Sequence, residues 1–227
     1  MTSPTIAENL KSVLDEIGPA VSLVAVSKTH PASVVQEAYD AGQRIFGENK
    51  VQELLAKQPV LPEDIHWHLI GHLQSNKIKF IAPFISLIHS VDSHKLLEAI
   101  SAAALRNSRV IDCLLQVHIA EEESKFGFDR GELWQMLDSL RDHPLAGVRI
   151  RGLMGMATFT DDMNQVRREF AGLRSLWAET RHEFFPDDRS FDQLSMGMSG
   201  DYRIAIEEGS TMVRIGTRIF GSRSLKK

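Results

Sequence analysis

Val21-Ser22-Leu23-Val24-Ala25-Val26-Ser27-Lys28, stopped by Thr29-His30-Pro31, is the stretch on which the fold turns. Valine, leucine and alanine occupy both parities of this run, so it reads as a strand buried on both faces, the situation of a strand in a parallel sheet. A lysine at the carboxyl end of such a strand is costly, because an ammonium loses its hydration there. Partial burial also lowers a lysine pKa and turns the amine into a nucleophile that can form a Schiff base with an aldehyde or ketone. For Lys28 taken alone, a stem that snorkels to solvent is the simpler alternative.

Outward from this strand the same pattern recurs. Short apolar or β-branched segments at 44 to 48, 66 to 73, 87 to 91, 111 to 120, 148 to 157, 192 to 197 and 212 to 216 alternate with amphipathic stretches of helical length. Asn49 and Asp129 each stand as a cap-like residue with Gln52 or Glu132 three positions on. Ser93, Thr160 and Ser199 are expected N-caps, and Gly42 and Gly209 sit where helices should end. Eight β/α units without a Pro- or Gly-rich linker predict one domain over residues 1–227, an α/β single (β/α)8 TIM barrel; a doubly wound open sheet is the alternative, since pattern alone does not show closure. Ser222-Arg223-Ser224-Leu225-Lys226-Lys227 is too short for an eighth helix, so a helix over about 5 to 17 is expected to cover the remaining wall.

Composition narrows the function. With 43% hydrophobic and 25% charged residues the chain can bury a sizeable core, and a formal net charge of −4 leaves no basic footprint for nucleic acid or an anionic membrane. Met1-Thr2-Ser3-Pro4-Thr5-Ile6-Ala7-Glu8 lacks the features of a signal peptide, and no segment approaches the about 18 apolar residues of a membrane span, so a cytoplasmic location is expected. The single cysteine, Cys113, excludes an intrachain disulfide and reads as core packing.

In a barrel of this class functional groups collect where strands end. Lys28, Gly47-Glu48-Asn49, the group His68, His72, Gln74 and Asn76, Lys125, and Met154-Gly155-Met156 all fall at such positions. Ser195-Met196-Gly197-Met198-Ser199-Gly200-Asp201 and Arg214-Ile215-Gly216-Thr217-Arg218-Ile219-Phe220-Gly221 end the last two strands. Their glycines let backbone N–H groups approach a ligand, the hydroxyls of Ser195 and Thr217 can donate, and a helix start after Ser199 favours an anion. The loops after strands seven and eight are the usual phosphate site of the architecture, and strand eight closes onto strand one. A ligand bridging Lys28 and this cradle carries an aldehyde and a phosphate a ring-width apart, the shape of pyridoxal 5′-phosphate.

Here the residues carry a resemblance. Ala25-Val26-Ser27-Lys28-Thr29, Phe46-Gly47-Glu48-Asn49-Lys50-Val51-Gln52-Glu53, Trp67-His68-Leu69-Ile70-Gly71-His72-Leu73-Gln74-Ser75-Asn76-Lys77, Leu194-Ser195-Met196-Gly197-Met198-Ser199 and Arg214 to Gly221 resemble the signatures of the pyridoxal phosphate homeostasis protein family. Five motifs in order cover essentially the whole chain. The resemblance implies a barrel similar to the N-terminal domain of alanine racemase and other fold-type III enzymes, without a C-terminal β-domain. It implies that Lys28 holds the cofactor as a Schiff base, that Arg214 meets the pyridine nitrogen, and that Ser195, Gly216 and Thr217 bind phosphate. Asn49 and Met196 would line the ring, with His68 as a neighbour and Lys77 and Lys125 as secondary lysines or solvated surface groups.

Two functions compete for such a site. An arginine only donates hydrogen bonds, so at the pyridine nitrogen it disfavours protonation and weakens the electron sink. Racemisation needs an acid/base on each face of the substrate carbon, and the tyrosines, Tyr39 and Tyr202, both lie on predicted helices. A carrier that holds, buffers or delivers pyridoxal phosphate, with apo-forms of pyridoxal-phosphate enzymes as its recipients, is therefore favoured over a racemase; a Schiff-base aldolase lacks a nameable acid/base. Without the β-domain a monomer is expected. His66, His68 and His72 share one parity, but no carboxylate or cysteine set accompanies them, so no metal site is expected. Glu121-Glu122-Glu123, Arg167-Arg168 and Lys226-Lys227 read as solvated charges, and Trp67, Trp134 and Trp177 as packing residues.

Overall fold

A computed structural model describes residues 4–121 and 126–221. The apolar runs form eight parallel strands: β1 (Ser22–Val26), β2 (Ile45–Glu48), β3 (His66–Leu69), β4 (Leu87–Val91), β5 (Ile111–Gln116), β6 (Val148–Met154), β7 (Gln193–Met198) and β8 (Met212–Ile215). They close in sequence order, and the ladder from Ser22–Met212 to Ala25–Ile215 joins β1 to β8. That ladder decides for the TIM barrel over the open sheet. Several strands are shorter than the sequence pattern suggests; β1 stops at Val26, so Lys28 lies two residues past the ladder.

Strand alternation sorts the apolar residues into two layers. Val24, Leu87, Leu114, Met154 and Met212 fill the barrel interior, with Ile45 and Ile70 against them. The opposite parity, including Leu23, Ala25, Phe46, Leu115 and Val213, joins the larger core under the helices. Removing each such large side chain from water stabilises the fold by roughly 1.5–3 kcal/mol. Gly47 points inward where no Cβ fits: one built there would lie 2.8 Å from Val24 Cγ1.

The helices are α1 (Ile6–Ile17), α2 (Ala32–Asp40), α3 (Val51–Lys57), α4 (Ile78–Ile81), α5 (His94–Arg106), α6 (Arg130–Asp142), α7 (Met163–Phe184), α8 (Tyr202–Glu207) and α9 (Thr217–Phe220). A Thr5/Glu8 capping box starts α1, which buries Leu10, Val13 and Ile17 and packs against α2 and α9. Asn9 Nδ2 donates to the Ile219 carbonyl at 3.1 Å, which ties α1 to α9. The wall is thus shared: contrary to the expectation of no helix after strand eight, one helical turn is present there.

Three expected caps shift. Asp129 with Glu132 and Ser93 cap α6 and α5 by accepting backbone N–H bonds. Asn49 does not cap α3, because Lys50 occupies that position and the Asn49 side chain faces a cavity. Thr160 yields to Asp162, whose carboxylate accepts from Asn164 and Gln165, while Thr160 Oγ1 accepts from the Asp162 N–H. Ser199 is displaced by Asp201 at α8 and instead accepts from the Gly216 N–H at 3.3 Å.

Candidate cofactor site

Beyond β1 the chain keeps its alternation for two residues. Val24 and Val26 face inward, the Ser27 hydroxyl turns outward to Glu48, and Lys28 reaches the cavity at the carboxyl-terminal mouth. That cavity, about 440 Å³, brings Lys28, Asn49, Arg214, Gly216 and Thr217 to one space. His30, Met156, Phe159, Met198, Ser199, Gly200 and Asp201 complete much of its wall. Its floor carries a buried cation and its rim an apolar edge.

The cation is Arg214, 4% exposed. Its Nη1 donates to the Ser195 carbonyl (2.9 Å) and to Ser195 Oγ (2.6 Å), and Nη2 donates to the Gly155 carbonyl (3.0 Å). A guanidinium has five N–H donors, so two remain for the cavity that Arg214 lines. Burial pulls the Arg214 pKa down to about 10, against the attraction of Asp201. Asp201 accepts from the Met198 N–H at 2.5 Å, and burial raises its carboxyl pKa in spite of that bond and of Arg214.

Behind Arg214 a polar chain runs down the barrel axis. Ser195 Oγ lies 3.1 Å from His89 Nδ1, and His89 Nε2 lies 3.0 Å from His68 Nδ1. Because Arg214 can only donate to Ser195, we assign the serine proton to His89 Nδ1 and the His89 proton to Nε2, facing His68. Burial above all holds both imidazoles neutral: His68 falls to about 3, with His66 adding to the effect, and His89 lies well below its ordinary value.

The turns after β7 and β8 form the other wall. Gly200 has open space where a Cβ would stand, and the backbone N–H groups of Gly200 and Thr217 meet no acceptor among the described residues. Gly216 packs so closely on β1 that a Cβ would sit 2.9 Å from the Val26 carbonyl oxygen. The expected helix start after Ser199 does not supply this wall; α8 begins at Tyr202 and is only six residues long.

Residues 2–224 match the family described as alanine racemase, N-terminal domain. A pyridoxal phosphate homeostasis protein of Aquifex aeolicus is 38% identical over 227 residues, which cover 95% of this chain and 97% of the relative. The chain belongs to the pyridoxal phosphate homeostasis protein family. The solved structure of a family homologue, PipY of Synechococcus elongatus with pyridoxal phosphate bound, superposes with a TM-score of 0.87 at 42% identity, covering 96% of this chain and 100% of that one. Alanine racemase from E. faecalis shares the fold, with a TM-score of 0.73 at 14% identity, over 96% of this chain and 58% of that one.

In this homeostasis-family barrel three of the expected site residues stand away from the cavity wall. Ser195 is fully buried and holds Arg214 from behind. His68 lies deeper, at the far end of the polar chain, and lines a second cavity at the amino-terminal mouth. Met196 faces the helices in the outer core, and Met198 lines the cavity instead. The cause is a bulge: β7 advances from Ser195 to Met198 while β8 advances only from Met212 to Arg214. Gly197 takes up the extra residue at φ 93°, where a Cβ would collide with Ala205 and Tyr202. Of the secondary lysines, Lys77 is not in the cavity wall and Lys125 lies outside the described residues. Sequence reasoning gave His89, Asp201 and His30 no site role; for His89 the signal was a histidine at the inward parity of Leu87, two residues on in β4. Among the described residues no three His, Cys, Asp or Glu side chains are placed to hold a metal ion, and no helix is long and apolar enough to cross a membrane.

Proposed function

We propose that this protein holds pyridoxal 5′-phosphate in the mouth of the barrel and serves its homeostasis by buffering or delivering it. The observation that carries the reading is one cavity in which Lys28, the spare donors of Arg214 and the N–H groups of Gly200 and Thr217, which meet no acceptor among the described residues, come together. The donor set fits the group: an amine for the aldehyde, a guanidinium for the ring nitrogen, and backbone N–H groups with open space beside Gly200 for the phosphate. Bound there, pyridoxal 5′-phosphate supplies an aldehyde that condenses with primary amines and a ring that withdraws electrons from that carbon.

The chain's own residues set the rest. Lys28 is the covalent anchor; Arg214, kept charged and donor-only, leaves the ring nitrogen unprotonated; Asn49 and Met198 border the ring; the N–H groups of Gly200 and Thr217 hold the phosphate, while Gly216, its N–H donated to Ser199, lets the turn pack closely on β1. Holding rather than turnover is supported by the tyrosines. Tyr39 Oη donates to Asp64 at 2.7 Å, and Tyr202 Oη is bound between Glu16 and Arg218 on the outer wall, so neither serves the cavity as an acid or base. Asp201, the carboxyl group in the cavity wall, is committed to the Met198 N–H and to the charge of Arg214.

The test is the visible absorption of the protein loaded with pyridoxal 5′-phosphate, followed by borohydride reduction and peptide mapping. A band lost in Lys28→Ala and a label on Lys28 are expected. A label on another lysine, or no uptake at all, overturns the assignment. Exchange of amino-acid α-hydrogens in deuterated solvent at catalytic rates would overturn the non-enzymatic reading and favour a racemase.

A further inference from the structure

Outside the barrel wall, directly behind the turn that carries Lys28, lies a buried ionic cluster that the proposed function does not use. Lys57, on the last turn of α3, is 7% exposed in its side chain and sits 2.5 Å from Glu48 Oε1, whose side chain is fully buried. Glu48 Oε1 also accepts from the Ser27 hydroxyl at 2.6 Å, and Glu48 Oε2 is buried with no partner among the described residues. Glu53, one helical turn before Lys57, stands 3.6 Å from the same ammonium.

The far ends of this cluster fall on the two peptide groups that flank Lys28. Lys57 Nζ donates to the Ser27 carbonyl at 2.9 Å, and Glu53 Oε2 accepts from the Thr29 N–H at 2.5 Å. Thr29 is held at φ 69°, a left-handed conformation that a β-branched residue takes only under external constraint. The His30 N–H closes the turn on the same Ser27 carbonyl at 3.1 Å. A buried ion pair is a poor way to gain stability, since apolar residues of similar volume commonly do as well. A cluster whose donors and acceptors end on either side of one lysine has a geometric task.

We propose that Lys57 and Glu53, braced by Glu48, are positioning residues for Lys28: they clamp the Ser27 carbonyl and the Thr29 N–H so that the Lys28 amine is presented to the cavity in one orientation. This rests on the reading of Lys28 as the covalent anchor. Among the described residues, the charged and titratable groups on the turn include Lys57 and Glu53 from α3, Glu48 from β2, and Lys28 and His30 from the turn itself. Strain at Thr29 is retained because relaxing it would rotate the peptide that follows Lys28 and swing the side chain away.

The experiment reads Lys28 in the protein before cofactor is added. Competitive acetylation with limiting acetic anhydride, mapped by mass spectrometry across the alkaline range, gives the rate and pH midpoint of Lys28; the rate of pyridoxal 5′-phosphate uptake is followed in parallel. Glu53→Ala and the charge-neutral pair Lys57→Met with Glu48→Gln are expected to slow uptake roughly ten- to a hundredfold and to move the Lys28 midpoint, with the folded state retained. Glu53→Gln keeps an acceptor for the Thr29 N–H and should stay near wild type. Adding Thr29→Gly to Glu53→Ala should recover part of the loss, because glycine takes φ 69° without strain. Unchanged Lys28 labelling and uptake in Glu53→Ala, or a double variant no better than Glu53→Ala, overturns the clamp. If wild type takes up no cofactor, the function reading fails on its own, while the acetylation comparison still decides whether the clamp sets the Lys28 amine.

Discussion

Acidification is the perturbation that addresses the polar chain behind Arg214. An ordinary histidine titrates at about 6.5, whereas His68 in the fold is held at about 3 and His89 well below 6.5, in both cases chiefly by burial. Both groups therefore bind fewer protons folded than unfolded, and the stability they contribute is present above pH 6.5 and lost as pH falls. At pH 5 the unfolded imidazole lies about 1.5 pH units past its midpoint, and at about 1.36 kcal/mol per unit His68 costs the fold about 2 kcal/mol, with His89 adding a cost of the same sign. With the folded His68 value at about 3, the figure depends only on the unfolded midpoint. Against a domain stability of roughly 5–15 kcal/mol it is large. Protonation at His89 Nδ1 would also remove the acceptor that Ser195 uses while it anchors Arg214, so loss of stability and loss of the floor of the cavity come together. The assay is urea unfolding of wild type and His68→Gln at pH 7.5 and pH 5; glutamine still accepts from His89 Nε2. Wild type should lose about 2 kcal/mol more than His68→Gln over that interval. Equal losses in the two proteins would refute the neutral, buried assignment of His68.

Glu48 has the opposite sign. Burial outweighs Lys57 and pushes its carboxyl from 4.5 up to about 7, so the fold binds its proton more tightly and stability falls as pH rises through that window. The stability difference between wild type and Glu48→Gln, measured by urea unfolding at several pH values, should shrink from pH 5 to pH 7 and level off above. Ser195→Ala removes the hydroxyl shared by Arg214 and His89 and should cost about 1–3 kcal/mol in unfolding free energy, with weaker pyridoxal phosphate binding by titration of the visible band. Gly197→Val places a β-branched residue at φ 93° against Ala205 and Tyr202, and should lower the melting temperature and close the cavity by moving Met198. Met196→Leu, in the outer core, should leave pyridoxal phosphate affinity unchanged, whereas Met198→Ala should weaken it.

The sequence by itself determined what depends on near neighbours along the chain. Hydrophobic periodicity marked the eight β/α units, the Asp129/Glu132 box and Ser93 marked helix starts, and a lysine just past an apolar strand marked one wall of the cavity, because strand period and capping are settled within a few residues. Gly216 and Thr217 were legible for the same reason, as small and hydroxylic residues at a strand end.

Tertiary structure decided what depends on register between strands far apart in the chain. Closure rests on the β1–β8 ladder, which joins residues 22–25 to residues 212–215. The exchange of Met196 for Met198 follows from one extra residue in β7 relative to β8, and a one-residue offset reverses which face every later side chain meets. His89 and Ser195 became the backing of Arg214 only once β4, β7 and β8 were placed around a common axis. The clamp of Lys57 and Glu53 on the turn of Lys28 likewise exists only because α3 packs over the end of β1, contacts between residues 30 and 24 positions apart that no local pattern encodes.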